Sequence, residues 1–338
     1  MKPLEMLMAL QAILYTTGVW HQVLGWVYMS VGGIGRLRAH PLGSAAWLAS
    51  LRVDLLAQMD RILRVLAPIP ERYSACELIF DTTLLRRWSL RLPLVARVLD
   101  TTTGERCVGI TVLFALGRFC VGHRWQTVPL GFRIVWQRTR TEVLAEWIAT
   151  LPPFRHVRVI VDGGLSSRAV VRACVARGWT VVGVIRRNLR LSDGRRVRDL
   201  QRAEWVHVRC WDLWVRVVPE WYEHRTRGGG KTWRVKYLFA TARMPSTRVQ
   251  RVYAHRWQIE VFHRVAKKEL GLAAYKPRTA RGMTNWICIV VITYAVLLHQ
   301  PGTWLERKQR LARDIAAYLL THKRGLEKSC NHPCPFAC

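Results

Sequence analysis

The sequence predicts a mixed α/β fold, in which a mixed sheet is flanked by helices. Three observations carry this. Three β-rich apolar runs follow one another between residues 75 and 136, and strand-like and helix-like patterns then alternate up to residue 187. A run of strands followed by such alternation builds a mixed sheet covered by helices. Half of the 338 residues are hydrophobic, enough to bury a large core.

The elements follow in order. Residues 1–70 carry a helical pattern with turns at "GGIG" and "HPLG", and end at the Pro68–Pro70 breaker. "ACELIFDTT" reads as a short buried strand ending in Asp81, and "GITVLFALGRF" and "TVPLGFRIVW" as two further strands. "TRTEVLAEWIATLP" opens on a Thr cap, carries Glu142 in its first turn and stops at Pro152, which marks a helix. "RHVRVIVDGG" is a strand ending in Asp162, "LSSRAVVRACVARGW" a helix and "TVVGVIRR" the next strand. From Asn188 to Tyr237 the pattern is irregular, basic and Trp-rich, with "RTRGGGK" inside it. A strand, a turn and a late helix close the order with "YLFATARMPSTRVQRVYAHRWQIEVFHRVAKKEL".

Composition narrows the partner. Lys+Arg number 53 against 22 Asp+Glu, a net charge of +31, which is the footprint of a nucleic acid or an anionic surface. A membrane is not expected. The apolar stretch Met6–Gly35 is interrupted by Gln11, His21 and Gln22, and Trp286–Leu298 is too short to span. Six scattered cysteines, Cys76, Cys107, Cys120, Cys174, Cys210 and Cys288, read as free thiols of a reducing compartment. The tail Cys330, Cys334 and Cys338 with His332 fits no standard zinc frame.

In so basic a chain the acids are informative. "YAHRWQIEVFHRVAKKELGL", read as one helix, puts Tyr253, Arg256, Glu260 and Lys267 within an arc of roughly 60°. Ile259, Val261, Phe262 and Val265 form the inward side. Asp81 and Asp162 each follow an apolar β run and precede a turn, and open α/β sheets build their sites at strand ends. Asp100, in "VLDTTTGE", repeats the Asp-Thr-Thr triplet and competes with Asp81, although its place before a glycine turn suits a hairpin better. Three carboxylates in a positive surface suit Mg²⁺ or Mn²⁺. Two such ions, about 3.5–4 Å apart, activate a water or 3′-hydroxyl in phosphodiester transfer.

On these residues the chain resembles bacterial insertion-sequence transposases with a DDE catalytic domain of RNase H-like fold. Within them it is similar to the insertion-sequence-four-like group, whose last acid sits in a Tyr-x2-Arg-x3-Glu-x6-Lys signature. Tyr253, Arg256, Glu260 and Lys267 match it position by position, and "IFDTT" and "VIVDGG" resemble the first and second acid motifs. The resemblance covers roughly residues 75–300. It implies that Asp81, Asp162 and Glu260 are catalytic and hold two Mg²⁺ or Mn²⁺ ions. It further implies cut-and-paste transposition, with 3′-end nicking, a hairpin intermediate and strand transfer. Tyr253, Arg256 and Lys267 would hold phosphates, and one of Trp211, Trp214, Trp221 and Trp233 would stack on a flipped base.

The implied partners are double-stranded DNA, at the terminal inverted repeats and at the target, and a second copy in a synaptic homodimer. The implied location is a bacterial cytoplasm, at the nucleoid. The expected division is 1–70, a helical region for DNA-end binding; 71–187, the first part of the core; 188–237, a basic Trp-rich β insertion; 238–300, the last part of the core; and 301–338, a basic helix with the cysteine-rich tail. The alternative is a non-catalytic transposase-derived DNA-binding protein, and more distantly a nuclease without strand transfer.

Overall fold

A computed structural model describes residues 73–100, 103–225, 229–273, 278–298 and 301–321. The expected N-terminal helical region and the cysteine-rich tail lie outside the described residues. The chain divides into two compact units. One joins Pro68–Leu84 to Ile110–Val261; the other joins Met1–Ala67, Leu85–Gly109 and Phe262–Cys338.

The first unit is built on a sheet. Its strands are β1 (Ala75–Arg86, whose last two residues belong to the other unit), β3 (Arg106–Val121, whose first four residues belong to the other unit), β4 (Arg124–Val135), β5 (Val157–Val161), β6 (Thr180–Ile185), β7 (Glu204–Val208), β8 (Leu213–Arg225) and β9 (Lys231–Ala240). The order runs β3-β1-β5-β6-β9-β8-β7, with β4 on β3. β3 and β4 form a hairpin closed by Gly122 and His123, both at positive φ (52° and 67°), the conformation a two-residue primed turn requires. β1, β5 and β6 are parallel, and β9 then runs antiparallel to β6. The crossovers are α1 (Arg140–Thr150) and α2 (Arg168–Ala176). α1 starts as expected, at a capping box in which Thr139 accepts from the Glu142 N–H and Glu142 accepts from the Thr139 N–H. Ser167 caps α2. The expected mixed sheet with flanking helices is present.

Three expectations need correction. β1 does not stop at Asp81 but continues to Arg86; what stops there is its pairing with β5, whose last partners are Phe80 and Val161. The pattern read as irregular from Asn188 to Tyr237 is mostly regular, in keeping with a β insertion over 188–237: β7, β8 and β9 pair in order and extend the main sheet through β6. Arg and Trp masked a β8 alternation that buries Val215 and Val217, and a β9 end in which Tyr237 to Ala240 are all buried. The late helix is in fact two, α3 (Ser246–Ala254) and α4 (Trp257–Lys268). Between them the N–H groups of His255, Arg256, Gln258 and Ile259 donate three residues back, tightening the chain into a turn.

In the second unit β2 (Ala96–Leu99) pairs antiparallel with the start of β3. The last turns of α4 pack with α5 (Ala280–Leu298) and α6 (Trp304–Thr321): Phe262 meets Tyr294 edge-on at 4.7 Å, and Tyr294 stacks on Trp304 at 5.2 Å. Trp286 to Val291 are fully buried, which accounts for the apolarity of that run. Among the described residues no helix is long and apolar enough to cross a membrane. The six scattered cysteines are free thiols, as expected.

Gly183 sits where β5 and β6 approach beside Asp162. A Cβ there would lie 2.7 Å from the Val161 carbonyl oxygen and 3.0 Å from the Ser166 hydroxyl. We expect Gly183→Ala to destabilise the fold by about 1–3 kcal/mol through overpacking. A urea midpoint that does not move would contradict so close an approach.

Candidate active site

Because Phe80 and Val161 are the last partners of the parallel pair, Asp81 and Asp162 occupy the next position on neighbouring strands. Each carboxylate is fixed locally by backbone. The Thr82 N–H donates to Asp81 Oδ1 at 2.8 Å, and the Leu165 N–H donates to Asp162 Oδ1 at 2.8 Å. The Ser166 hydroxyl and N–H bind the Asp162 carbonyl, completing a tight turn. Asp162 Oδ2 has no hydrogen bond or ion pair among the described residues.

Arg256 joins the third acid to the first. Its Nη1 lies 3.1 Å from Asp81 Oδ2, and its Nη2 donates to Glu260 Oε1 one turn along. Burial pushes the Asp81 carboxyl up to about 6, and Asp162 and Glu260 push the same way, while Arg256 and the Thr82 N–H hold it down. Burial pulls the Arg256 guanidinium down, but Tyr253 and the three acids more than offset it and leave it above its ordinary value. This is a cluster of acids short of positive charge, with one guanidinium shared among them.

The turn between α3 and α4 is what presents that guanidinium. Tyr253 ends α3, with its ring 6.0 Å from the Arg256 guanidinium and 5.2 Å from the Lys236 ammonium of β9. Burial pushes its phenol up to about 12. Lys236 also pairs with Glu220 at 2.8 Å, so the β8–β9 ribbon reaches the signature directly. Lys267 lies seven residues beyond Glu260 on α4, in the part that belongs to the other unit. Sequence reading placed all four residues on one helix; the structure brings Tyr253, Arg256 and Glu260 together through a turn instead.

A second ion-pair cluster escaped the sequence reading. Glu77, fully buried on β1 and on the same strand face as Asp81, pairs with Arg118, with Arg158 at 3.0 Å and with His255 Nδ1 at 2.9 Å. The Trp125 ring lies 4.7 Å from the Arg118 guanidinium and 6.4 Å from the His255 ring. His255 directly precedes Arg256, so Glu77 anchors the turn that carries the shared guanidinium. The signal was available: Glu77 is the acid inside the otherwise apolar run "ACELIF".

The tryptophans separate by exposure. Trp211 is buried edge-on against Phe239, with no free ring face for a base, and leaves the candidate set. Trp214, Trp221 and Trp233 are 55%, 59% and 70% exposed. Trp221 and Trp233 share one face of the ribbon, since Trp233 pairs with Glu223, two residues from Trp221. The arginines at 186, 187, 190 and 195 are exposed, as a solvated charge run should be.

Among the described residues no group of three His, Cys, Asp or Glu side chains stands close enough to hold one ion. Comparison with known families places the chain. The family model "Transposase DDE domain" matches residues 128–296, half of the chain, including Asp162 and the whole stretch from Tyr253 to Lys267. This chain belongs to the transposase DDE domain family. The mixed sheet flanked by helices is consistent with the RNase H-like fold of a DDE transposase. Asp81 lies outside the matched span, so its place in the cluster rests on geometry. No curated protein matches the chain.

Glu77→Ala leaves two guanidinium groups without their buried partner, and we expect a cost of about 3–5 kcal/mol. Urea denaturation checks this, and a loss below about 1 kcal/mol would show the cluster to be dispensable.

Proposed function

We propose that the chain is a DNA transposase that cuts and joins DNA with Asp81, Asp162 and Glu260 as its catalytic acids. The observation that carries this reading is the shared guanidinium: Arg256 spans Asp81 and Glu260, while Asp162 lies at the adjacent register position with one oxygen unengaged. The residues fit a divalent metal. All three donors are hard carboxylate oxygens, and the Asp81 carboxyl, raised first by its burial and then by Asp162, would be eased by a nearby positive charge. Asp81, Asp162 and Glu260 would hold Mg²⁺ or Mn²⁺, two ions in the family's expected arrangement. When bound, these supply an activated water or 3′-hydroxyl and stabilise the leaving oxygen.

The rest of the reading concerns the chain's own residues. Arg256 and Tyr253 hold phosphates beside the acids, Arg through its planar fork, and Lys267 holds phosphate as a point charge. Trp214, Trp221 and Trp233 are the platforms open to an extruded base, as a hairpin intermediate needs. The excess of 31 positive charges tracks the backbone of terminal inverted repeats and of target DNA, in a synaptic pair of chains at the nucleoid. Residues 1–70 are proposed to recognise the ends, 71–187 and 238–300 to form the catalytic core, 188–237 the β insertion, and 301–338 a basic appendage.

One observation favours a second reading, that of a non-catalytic DNA-binding descendant. Arg256 already satisfies Asp81 and Glu260 as an ion pair, which is how purely structural acids would be held.

The two readings separate on the element's own end DNA with Mg²⁺ or Mn²⁺. We expect the native chain to nick the 3′ ends and Glu260→Gln to lose cleavage by at least about 10³-fold while keeping its affinity. Binding lost along with cleavage would contradict a catalytic role for Glu260; binding without cleavage in the native chain would favour the second reading. We further expect Trp233→Ala or Trp221→Ala to weaken base extrusion by about 1–3 kcal/mol, read with a fluorescent base analogue at the end. Unchanged extrusion in both would remove these rings from the reaction.

A further inference from the structure

Arg140 opens α1 directly after the Thr139 cap; the residue is half-buried and its guanidinium pairs with no acid among the described residues. It lies flat against Gly164, in the turn that follows Asp162. A Cβ on Gly164 would stand 2.6 Å from Nη2, 2.9 Å from Cζ and 3.1 Å from Nη1, so the seat exists only because residue 164 has no side chain. Among the described residues this guanidinium has no hydrogen bond or ion pair. Its neighbour Arg138 pairs with Glu146, so the helix does contain an acid that answers a cation. A cation in the first turn of a helix also opposes the helix dipole, so stability of α1 does not explain it. An unpaired planar fork, half-buried and held two residues from a proposed catalytic acid, matches the geometry with which arginine takes a phosphate.

We propose that Arg140 binds a phosphodiester of the DNA strand held at Asp162, as a phosphate-binding residue outside the signature, with Gly164 as its seat. This rests on the transposase reading above. Arg140 lies on the crossover α1 and Arg256 in the turn between α3 and α4, so the two approach the Asp81–Asp162 pair from different elements. The strand is then gripped by two guanidinium groups, one from each element.

The test uses the full chain and its own end duplex. Affinity is measured against salt for the native protein, Arg140→Ala, Arg140→Lys and Gly164→Ala, with melting temperature and single-turnover cleavage alongside. An added Cβ at residue 164 meets only the far end of a flexible side chain, so Gly164→Ala should fold normally while unseating Arg140. We expect Arg140→Ala to weaken binding about tenfold and lower the salt slope by about one. Gly164→Ala should do the same without changing the melting temperature, and Arg140→Lys should recover the slope but not the full affinity. Replacing the duplex phosphates one at a time by neutral methylphosphonates should reveal one position that costs the native protein affinity and costs Arg140→Ala nothing. Native affinity and slope in Arg140→Ala, with the native chain binding and cleaving normally, would overturn the proposal and leave the transposase reading standing. A native chain that neither binds nor cleaves end DNA would overturn both.

Discussion

Arg256 shared between Asp81 and Glu260 is the interaction on which the site depends. β1 supplies one acid from the sheet, and α4 supplies the other from across the chain, 179 residues later in sequence. The sheet's hydrogen bonds place Asp81 and Asp162 side by side, but nothing in those ladders constrains Glu260. The guanidinium does so, with one nitrogen on each carboxylate. Its charge also lets acids that repel one another lie together in a partly buried place. The shared cation is therefore both the tie and the counter-charge, and ligands that bring positive charge would compete for the same oxygens.

That tie is only as well placed as the turn that carries it. A continuous helix from Tyr253 to Lys267 would hold Arg256 by helical hydrogen bonds alone. The tight turn instead exposes two successive side chains, His255 and Arg256, to two acids on one face of β1, Glu77 and Asp81. Glu77 is buried between the guanidinium groups of Arg118 and Arg158 with the His255 ring beside it, so its pairing helps to define where the turn sits. From the other side, Lys236 of the β8–β9 ribbon lies over the Tyr253 ring. The ribbon that offers exposed tryptophans is thus mechanically continuous with the signature.

Much of this was legible in the sequence. The β3–β4 hairpin, α1 with its Thr139–Glu142 box, β5 ending at Asp162 and α2 could be read because apolar period, cap and turn residues agreed. The signature spacing singled out Arg256 and Glu260; Asp162 does follow the last residue of β5, whereas Asp81 was singled out by a strand end that in fact lies at Arg86. The rest was hidden for physical reasons. Helical spacing cannot show a turn of three-residue hydrogen bonds, because Tyr253, Arg256 and Glu260 stay near one another in either geometry. Exposed Arg and Trp hid the alternation of β8 and the continuous buried end of β9. The tryptophans of the insertion are alike in sequence; only packing separates Trp211, against Phe239, from Trp221 and Trp233. Glu77 looked like part of an apolar strand because its partners, Arg118, Arg158 and the His255 ring, come from β3, β5 and the turn after α3.

The most direct measurement is electron paramagnetic resonance of Mn²⁺ on the protein bound to its end DNA, comparing the native chain with Asp162→Asn. Asp162 is the acid that Arg256 does not hold, so it tests the set without disturbing the tie. The account predicts bound Mn²⁺ in the native complex and its loss in the variant, with DNA still bound. Equal Mn²⁺ binding by both, or none by the native complex, would contradict the claim that these acids form one metal-dependent catalytic centre.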